Sequence, residues 1–312
     1  MLRLLLIITG ISAFRFSSWY VDKYNPNIYS INWNIYTHIR NSNPIVDNNG
    51  FAKCNHSNIY LSKIAHYHGR KILWGLGALN ISSVLWNNNQ KLRNNYLNTI
   101  SKAMKECDID GIEVDYEFYD RIKNFGIVSF KDSTIYSQFL SDLKKSIGKD
   151  KIVAADISIW GVGKSEWILG VLPWINVPML NNGDFDYINT MSYHWSRFGD
   201  LWAWKKDAFF IDLWGINRSR VNIGIPYFST EFWLHKHHDP VWNSFSNNCP
   251  NIDYTTNTCN NIVFVGKKMN YELGKWSKQQ GFGGVFPWAL NYDSKKHNNS
   301  LVYWLHKGIQ EN

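Results

Sequence analysis

The chain has 312 residues, of which 45% are hydrophobic and 19% are charged, and its formal net charge is +8. This balance supports a buried core and excludes a disordered chain. The Lys and Arg residues are scattered along the sequence rather than gathered in a run, so we predict no nucleic-acid partner. Aromatic residues make up 16% of the chain and include 16 Trp. Rings in this number are common in grooves that bind sugars, with a large ordinary core as the alternative.

The N-terminus has the pattern of a secretory signal peptide. A short basic start at Met1–Arg3 precedes the largely apolar run Leu4–Ile11, and Ser12-Ala13 offers the small residues of a cleavage site. The run is too short to span a bilayer, which takes ~20 residues. We therefore predict that residues 1–13 are removed, that residues 14–312 form one domain, and that the protein is secreted or lumenal without a membrane anchor. A first buried strand is the alternative.

An even number of cysteines in a secreted chain favours disulfides, and three pairings are possible among Cys54, Cys107, Cys249 and Cys259. Cys249 and Cys259 flank a turn-rich stretch and are placed to close a local loop. Cys107 precedes a predicted strand, and we expect it to be a packed thiol. The spacing fits no zinc motif, so we predict no metal and no cofactor. Sequons consistent with secretion lie at Asn55, Asn80, Asn217 and Asn298.

Strand-like apolar runs alternate with helix-like amphipathic segments along the chain. The predicted strands are Phe14–Tyr20, Asn34–Ile39, Lys71–Gly77, Gly111–Glu117, Ile152–Ser158, Tyr187–Tyr193, Val221–Tyr227 and Gly283–Trp288. The clearest predicted helices are Leu92–Cys107, Ile135–Ile147 and Tyr271–Gln280. Parallel neighbouring strands need crossover helices, so this alternation predicts an α/β fold, a closed (β/α)₈ barrel. A doubly wound open sheet is the alternative, but the Gly-rich phosphate loop expected after its first strand is missing.

The segment from Asp110 to Glu117 reads Asp-Gly-Ile-Glu-Val-Asp-Tyr-Glu. Because side chains alternate along a strand, Glu113, Asp115 and Glu117 share one face, which points into a barrel with carboxylates ~7 Å apart. Crowded buried carboxylates raise one another's pKa, so that one stays protonated at neutral pH and serves as a general acid. A Mg²⁺ or Ca²⁺ site is the alternative, but no second acid-rich segment supplies further ligands.

This segment resembles the Asp-Gly-x-Asp-x-Asp-x-Glu signature of family 18 glycoside hydrolases, the chitinase family. Glu113 stands where the family usually has Asp or Asn. Four further segments resemble family motifs in the same order along the chain: Lys71–Ala78, Asp186–Tyr193, Gly224–Tyr227 and Gly283–Trp288. The resemblance covers nearly the whole mature chain. It implies a single-domain TIM barrel that hydrolyses β-1,4-linked N-acetylglucosamine in chitin or its oligomers, and we expect a monomer.

The resemblance also implies roles for individual residues. Glu117 would be the general acid and base, Asp115 would orient the substrate's acetamido group, and Tyr193 would bind the acetamido carbonyl. Asp110 and Glu113 would support Asp115 by sharing protons. Met191, His194 and Trp288 complete the implied substrate site, with Trp288 stacking under a sugar. Core filling is an equally good interpretation of Met191.

Two departures from the family pattern stand out. His194 follows Tyr193 where the family usually has Asp, so it is either a functional replacement or a loop residue. The stretch of about 50 residues between Phe228 and Gly281 is too short for the full α+β insertion domain of many chitinases. Two alternative functions stay open at this point: a non-catalytic chitin-binding lectin on the same barrel, and an endo-β-N-acetylglucosaminidase acting on N-glycan cores. The presence of Glu117 favours an enzyme over a lectin.

Overall fold

Eight parallel strands close into a barrel in the computed structural model, which confirms the predicted (β/α)₈ fold. The structure describes residues 14–21, 28, 31–41, 44–55, 59–77, 89–116, 130–159, 174–193, 201–229, 241–249, 252–259 and 262–311. The predicted signal peptide, residues 1–13, lies outside these ranges, and the first barrel strand begins at Arg15.

The strands in chain order are β1 (Arg15–Trp19), β2 (His38–Asn41), β3 (Ile45–Val46), β4 (Ala52–Lys53), β5 (Lys71–Gly77), β6 (Gly111–Asp115), β7 (Ile152–Ile157), β8 (Tyr187–Thr190), β9 (Val221–Pro226), β10 (Thr258–Cys259), β11 (Ile262–Val263) and β12 (Gly284–Trp288). The barrel order is β1-β2-β5-β6-β7-β8-β9-β12, closing back onto β1. The remaining strands form two small antiparallel pairs, β3 with β4 and β10 with β11.

The helices are α1 (Ile59–Tyr67), α2 (Gln90–Glu106), α3 (Phe130–Ile147), α4 (Val177–Asn182), α5 (Trp202–Leu213), α6 (Trp242–Asn248), α7 (Lys267–Gln279) and α8 (Leu301–Gln310). Short 3₁₀ turns occupy Arg218–Arg220, Leu290–Tyr292 and His297–Asn299. In β6, the apolar residues Ile112 and Val114 are fully buried in the hydrophobic core that the strands share with α2 and α3. The alternate residues of β6 are thereby left for the barrel interior.

The second strand differs from its prediction. It was expected over Asn34–Ile39, but β2 runs from His38 to Asn41. The apolar residues that suggested an earlier start belong to a turn, where the Ile35 amide donates to the Asn32 carbonyl. Ile35 and Tyr36 are buried, but they precede β2 in the chain and are not part of it.

The segment between β9 and β12 is described over residues 227–229, 241–249, 252–259 and 262–283. Its described residues form α6, the β10–β11 pair and the barrel helix α7. The predicted barrel without a full α+β insertion domain agrees with these elements.

Two disulfides link the four cysteines. Cys249 pairs with Cys259, as the turn-rich spacing suggested. Cys107 pairs with Cys54, so the expectation of a packed thiol is wrong. Their Cα atoms lie 5.5 Å apart, because the turn after α2 meets the end of the β3–β4 hairpin. A bond between residues so distant in sequence depends on that tertiary contact.

None of the helices in the described ranges is both long and apolar enough to cross a bilayer.

Candidate active site

Four of the predicted site residues lie at the carboxyl end of the barrel. Asp115 ends β6 and Trp288 ends β12, while Met191 and Tyr193 follow directly after β8. Since all eight barrel strands are parallel, these ends meet at one rim. This rim is where (β/α)₈ enzymes place their reacting groups.

An acid cluster fills the barrel interior just below this rim. It consists of Glu113 and Asp115 from β6 and Asp156 from β7, and Asp115 and Asp156 are Cα partners in the strand register. Glu113 and Asp156 are each 1% exposed. Asp115 is partly exposed, so among these three acids it faces the mouth of the site.

A chain of hydrogen bonds fixes Asp156 from below. The Asn189 side-chain amide donates to Asp156 Oδ1 at 2.7 Å, and the Asn222 amide donates to Asn189 Oδ1 at 2.8 Å. Arg15 Nε in turn donates to Asn222 Oδ1 at 2.9 Å. The two amides therefore point their donors the same way, toward the acid cluster. Asp156 Oδ1 is held as an acceptor, which leaves its other oxygen to carry any proton.

Glu113 is contacted by side chains from two other barrel strands, β1 and β2. The indole N–H of Trp19 donates to Glu113 Oε1 at 2.5 Å. The guanidinium of Arg40, 6% exposed, places Nε 3.9 Å from the same oxygen. Arg40 Cζ also lies 2.9 Å from the centroid of the Trp19 ring. One cation is thus buried beside three acids.

Burial raises the pKa of all three carboxyl groups, because an ionised carboxylate loses its hydration inside the barrel. For Asp156 the pKa lies well above its ordinary value, and the nearby charges of Glu113 and Asp115 add to the effect of burial. The positive charge of Arg40 opposes the rise at each acid. The cluster therefore keeps protons at pH values where exposed carboxyl groups are ionised.

Aromatic rings form the floor of the site beside Asp115. The rings of Tyr193 and Trp288 stack at a centroid distance of 5.8 Å and an interplanar angle of 24°. Phe228 packs edge-on against both rings, and Trp19 packs edge-on against Trp288. Both stacked rings remain partly exposed, and Met191 is a partly buried residue packed against the core. A flat apolar floor next to a carboxyl group suits a sugar ring.

Asp110 does not join this cluster, contrary to the proton sharing that the resemblance implied. It precedes β6 and differs from Asp115 in strand parity, about 16 Å further down the strand. Its carboxylate accepts hydrogen bonds from the Ile72 amide at 2.9 Å, from Lys71 Nζ at 2.9 Å and pairs with His66 Nε2 at 2.7 Å. Burial raises its pKa, but these bonds outweigh burial and the net pKa is lowered. Asp110 is an ionised anchor at the amino end of the barrel.

Three residues of the site were missed in the sequence. Asp156 is the single polar residue of the apolar strand β7. Arg40 lies between the polar residues His38 and Asn41 of β2. Asn189 lies in the segment Asp186–Tyr193, of which only Met191 and Tyr193 were predicted to belong to the site. The available signal was the cost of burial, because a charged residue in a buried strand needs a partner. Asp156 within Ile-Val-Ala-Ala-Asp-Ile is the clearest case.

Two predicted site residues, Glu117 and His194, lie outside the described residues. Their roles remain predictions from the sequence. Within the described ranges, no group of three or more His, Cys, Asp or Glu side chains is arranged to hold a metal ion.

Solved structures with the same fold cover nearly the whole chain. A chitinase from Bacteroides thetaiotaomicron has a TM-score of 0.75 and 19% identity, covering 96% of this chain and 97% of that one. A Rhizomucor miehei chitinase has a TM-score of 0.73 and 17% identity, with 94% and 99% covered. A chitinase-like agglutinin from Robinia pseudoacacia has a TM-score of 0.70 and 13% identity, with 94% and 98% covered. At these identities the likeness shows the fold.

A search of curated protein sequences finds no match. The model of the glycosyl hydrolases family 18, however, matches residues 19–293, from the end of the first barrel strand to just beyond the last. With the closed barrel and the ordered motifs at its carboxyl rim, that match shows that the protein belongs to family 18 of the glycosyl hydrolases.

Proposed function

We propose that this protein hydrolyses β-1,4-linked N-acetylglucosamine in chitin or its oligomers, using the substrate's own acetamido group as the nucleophile. The observation that carries the proposal is the position of Asp115. It is the partly exposed member of a buried acid cluster and lies at the rim that also bears the stacked Tyr193–Trp288 floor. Family membership and the fold shared with chitinases support the same reaction.

The floor and Asp115 would prepare the substrate. The sugar on the non-reducing side of the scissile bond stacks on Trp288, which leaves its acetamido group over the acid cluster. Asp115 accepts the acetamido N–H and turns the carbonyl oxygen toward C1, and the Tyr193 hydroxyl donates to that oxygen. The nucleophile is therefore held in place before the bond breaks, which is the main advantage of an intramolecular attack.

Glu117 supplies the proton chemistry in this proposal. As the acetamido oxygen attacks C1, the C1–O bond breaks and Glu117 protonates the departing oxygen. The resulting oxazolinium ion carries a positive charge that ionised Asp115 stabilises. Glu117 then removes a proton from a water molecule that attacks C1, and the ring opens with retained configuration at C1. Every proton and leaving group is accounted for without a metal or cofactor.

A second candidate function is chitin binding without hydrolysis. The specific reason to keep it is the shared fold with a chitinase-like agglutinin. The presence of Glu117 in the sequence favours the hydrolase.

The deciding experiment measures release of 4-methylumbelliferone from chitobiose and chitotriose conjugates. We expect turnover by the wild type, loss of turnover in Glu117→Gln, and wild-type turnover in the control Glu106→Gln, whose side chain is exposed at the end of α2. Binding of chitin oligomers without turnover by the wild type would identify a lectin. The absence of both binding and turnover in the wild type would refute the proposal. Cleavage of a high-mannose glycoprotein in place of the conjugates would identify an N-glycan hydrolase.

We also propose that the protein is secreted after removal of residues 1–13. The start of β1 at Arg15 supports this, because cleavage after Ala13 would leave the first barrel strand intact. N-terminal sequencing of the protein expressed in a secreting host tests it, with Phe14 as the expected first residue. A product retained in the cell with Met1 intact would contradict it.

A further inference from the structure

The acid cluster holds more carboxyl groups than cations. Among the described residues, Glu113, Asp115 and Asp156 share the interior below the carboxyl rim with one guanidinium, that of Arg40. Three buried carboxylates do not ionise together in a medium of low polarity. A single adjacent cation compensates for a single negative charge. The field of that cation and the solvent exposure of each acid together decide which acid carries the charge.

The position of the Arg40 guanidinium is set by packing inside the barrel. It lies over the Trp19 ring, and a Cβ atom added at Gly75 would overlap it. Its Nε is 3.9 Å from Glu113, too far for a hydrogen bond, and Nε and Nη1 have no hydrogen-bond partner in the described part of the chain. Arg40 therefore does not form a bidentate hydrogen-bonded pair with Glu113. Its charge also acts on Asp115 and Asp156.

The groups that face Arg40 come from four strands and from the segment after β8. In the described ranges they are Trp19 from β1, Gly75 from β5, Glu113 and Asp115 from β6, Asp156 from β7, and Tyr193 after β8. Glu113 and Asp156 are each 1% exposed, so an ionised carboxylate costs more at these two positions. Asp115 is the member of the cluster at the mouth of the site, where partial solvent contact lowers the cost of its charge.

We propose that Arg40 is a positioning residue that keeps Asp115 ionised in the resting site, so that Asp115 is ready to accept the acetamido N–H. This inference rests on the proposed hydrolase function, which it deepens by naming the group that sets the charge state of Asp115. An Asp115 that has lost its charge neither orients the acetamido group nor stabilises an oxazolinium ion. Arg40 itself does not touch the substrate in this scheme.

The first test is the pH dependence of kcat/KM for a chitotriose conjugate in Arg40→Met and Arg40→Lys. Removing an opposite charge at this range raises the pKa of a carboxyl group by ~1–3 units. We therefore expect Arg40→Met to move the acidic limb upward by about 1–3 pH units, with part of the activity recovered at high pH. Arg40→Lys keeps the cation, and its limb stays near that of the wild type.

A matched control is Arg93→Met. Arg93 is also a largely buried arginine, but it pairs with Asp142 between the outer helices α2 and α3 and is not part of the barrel interior. Its loss is expected to lower stability and leave the acidic limb in place. A uniform loss of activity at every pH in Arg40→Met, with no shift of the limb, would show a merely structural role and overturn the inference.

A second measurement needs neither activity nor a folded Arg40→Met variant. In the wild type, the ¹⁵Nε chemical shift of Arg40 is expected to follow the ionisation of Asp115, whose own ¹³C carboxyl shift reports the charge directly. We expect the pH-dependent change in the Arg40 ¹⁵Nε chemical shift to disappear in Asp115→Asn. If Asp115 is still protonated at pH 7 in the wild type, the inference is wrong. A wild type that shows this coupling but no turnover would refute the hydrolase while leaving the Arg40–Asp115 coupling in place.

Discussion

Asp115 and Asp156 stand directly opposite each other on adjacent parallel strands, one at the mouth of the site and the other 1% exposed beneath it. Their strands run ~4.8 Å apart, so each carboxyl group lies within the field of the other. Asn189 holds one oxygen of Asp156 at 2.7 Å, and burial raises the pKa of Asp156 well above its ordinary value. The two acids therefore differ: Asp156 holds its proton to higher pH than an exposed carboxyl group does, and Asp115 lies at the mouth of the site.

The stability of Asp156→Asn relative to the wild type is expected to increase with pH. The folded pKa of Asp156 is raised, so its contribution to stability is complete below the unfolded value near 4 and is lost as pH rises toward the folded pKa. Asparagine does not titrate, and its amide oxygen still accepts the Asn189 amide. Urea denaturation of both proteins at pH 4, 5.5 and 7 measures the difference in the free energy of unfolding. A difference that is constant over this range would contradict the assigned shift.

The control for that experiment is Asp156→Ala. It removes the Asp156 oxygen that accepts from the Asn189 amide inside the barrel, at a cost of about 1–3 kcal/mol. We therefore expect this variant to be less stable than Asp156→Asn at every pH tested.

Trp288→Ala is expected to weaken binding of chitin oligomers by removing the floor of the site. A well-placed aromatic stack is worth about 0.5–1.5 kcal/mol beyond its buried area, or roughly a 2- to 10-fold loss in affinity. Trp288→Phe keeps a ring beside Tyr193 and Phe228, and we expect it to retain most of the affinity. Calorimetry in the Glu117→Gln background measures binding without turnover. Equal affinities for the alanine variant and its parent would exclude Trp288 from the sugar site.

Asp110→Asn is expected to lower stability without moving the pH profile of activity. The substitution weakens the contacts with Lys71 and His66 and the bond from the Ile72 amide, at a cost of about 1–2 kcal/mol. Because Asp110 lies at the amino end of the barrel, the ionisation of Asp115 is unaffected. Thermal unfolding measures the expected loss of stability, and a kcat/KM profile over pH 4–9 tests whether the acidic limb stays in place. A shifted acidic limb would support the proton sharing that the family signature implies.

Loss of the Cys54–Cys107 disulfide is expected to cost more stability than loss of Cys249–Cys259. The bonds join residues 53 and 10 positions apart, and a longer loop gains more freedom in the unfolded chain when it opens. The chain-entropy relation gives about 4 kcal/mol against about 3 kcal/mol. Chemical denaturation of Cys54→Ala/Cys107→Ala and Cys249→Ala/Cys259→Ala compares them. The reverse order would mean that native contacts outweigh loop entropy.

The sequence alone determined the fold class and one face of the site. Alternation of strands and helices predicts a parallel barrel, and the period of two in a strand places Glu113 and Asp115 on its inner face. Tyr193 and Trp288 fall at strand ends, which in a parallel barrel share one rim. These conclusions depend on local periodicity, which a single sequence displays.

Only the tertiary structure decided which residues complete the site. Arg40 and Asp156 meet Asp115 across 75 and 41 residues of chain because the strand order and register of the closed barrel bring them together. Neither residue has a local sequence spacing that predicts its contact with Asp115. The same register separates Asp110 from Asp115, although the two stand in one short motif. Strand pairing is set by how the whole apolar surface packs around the barrel, and that sum of long-range contacts is not written in any single segment.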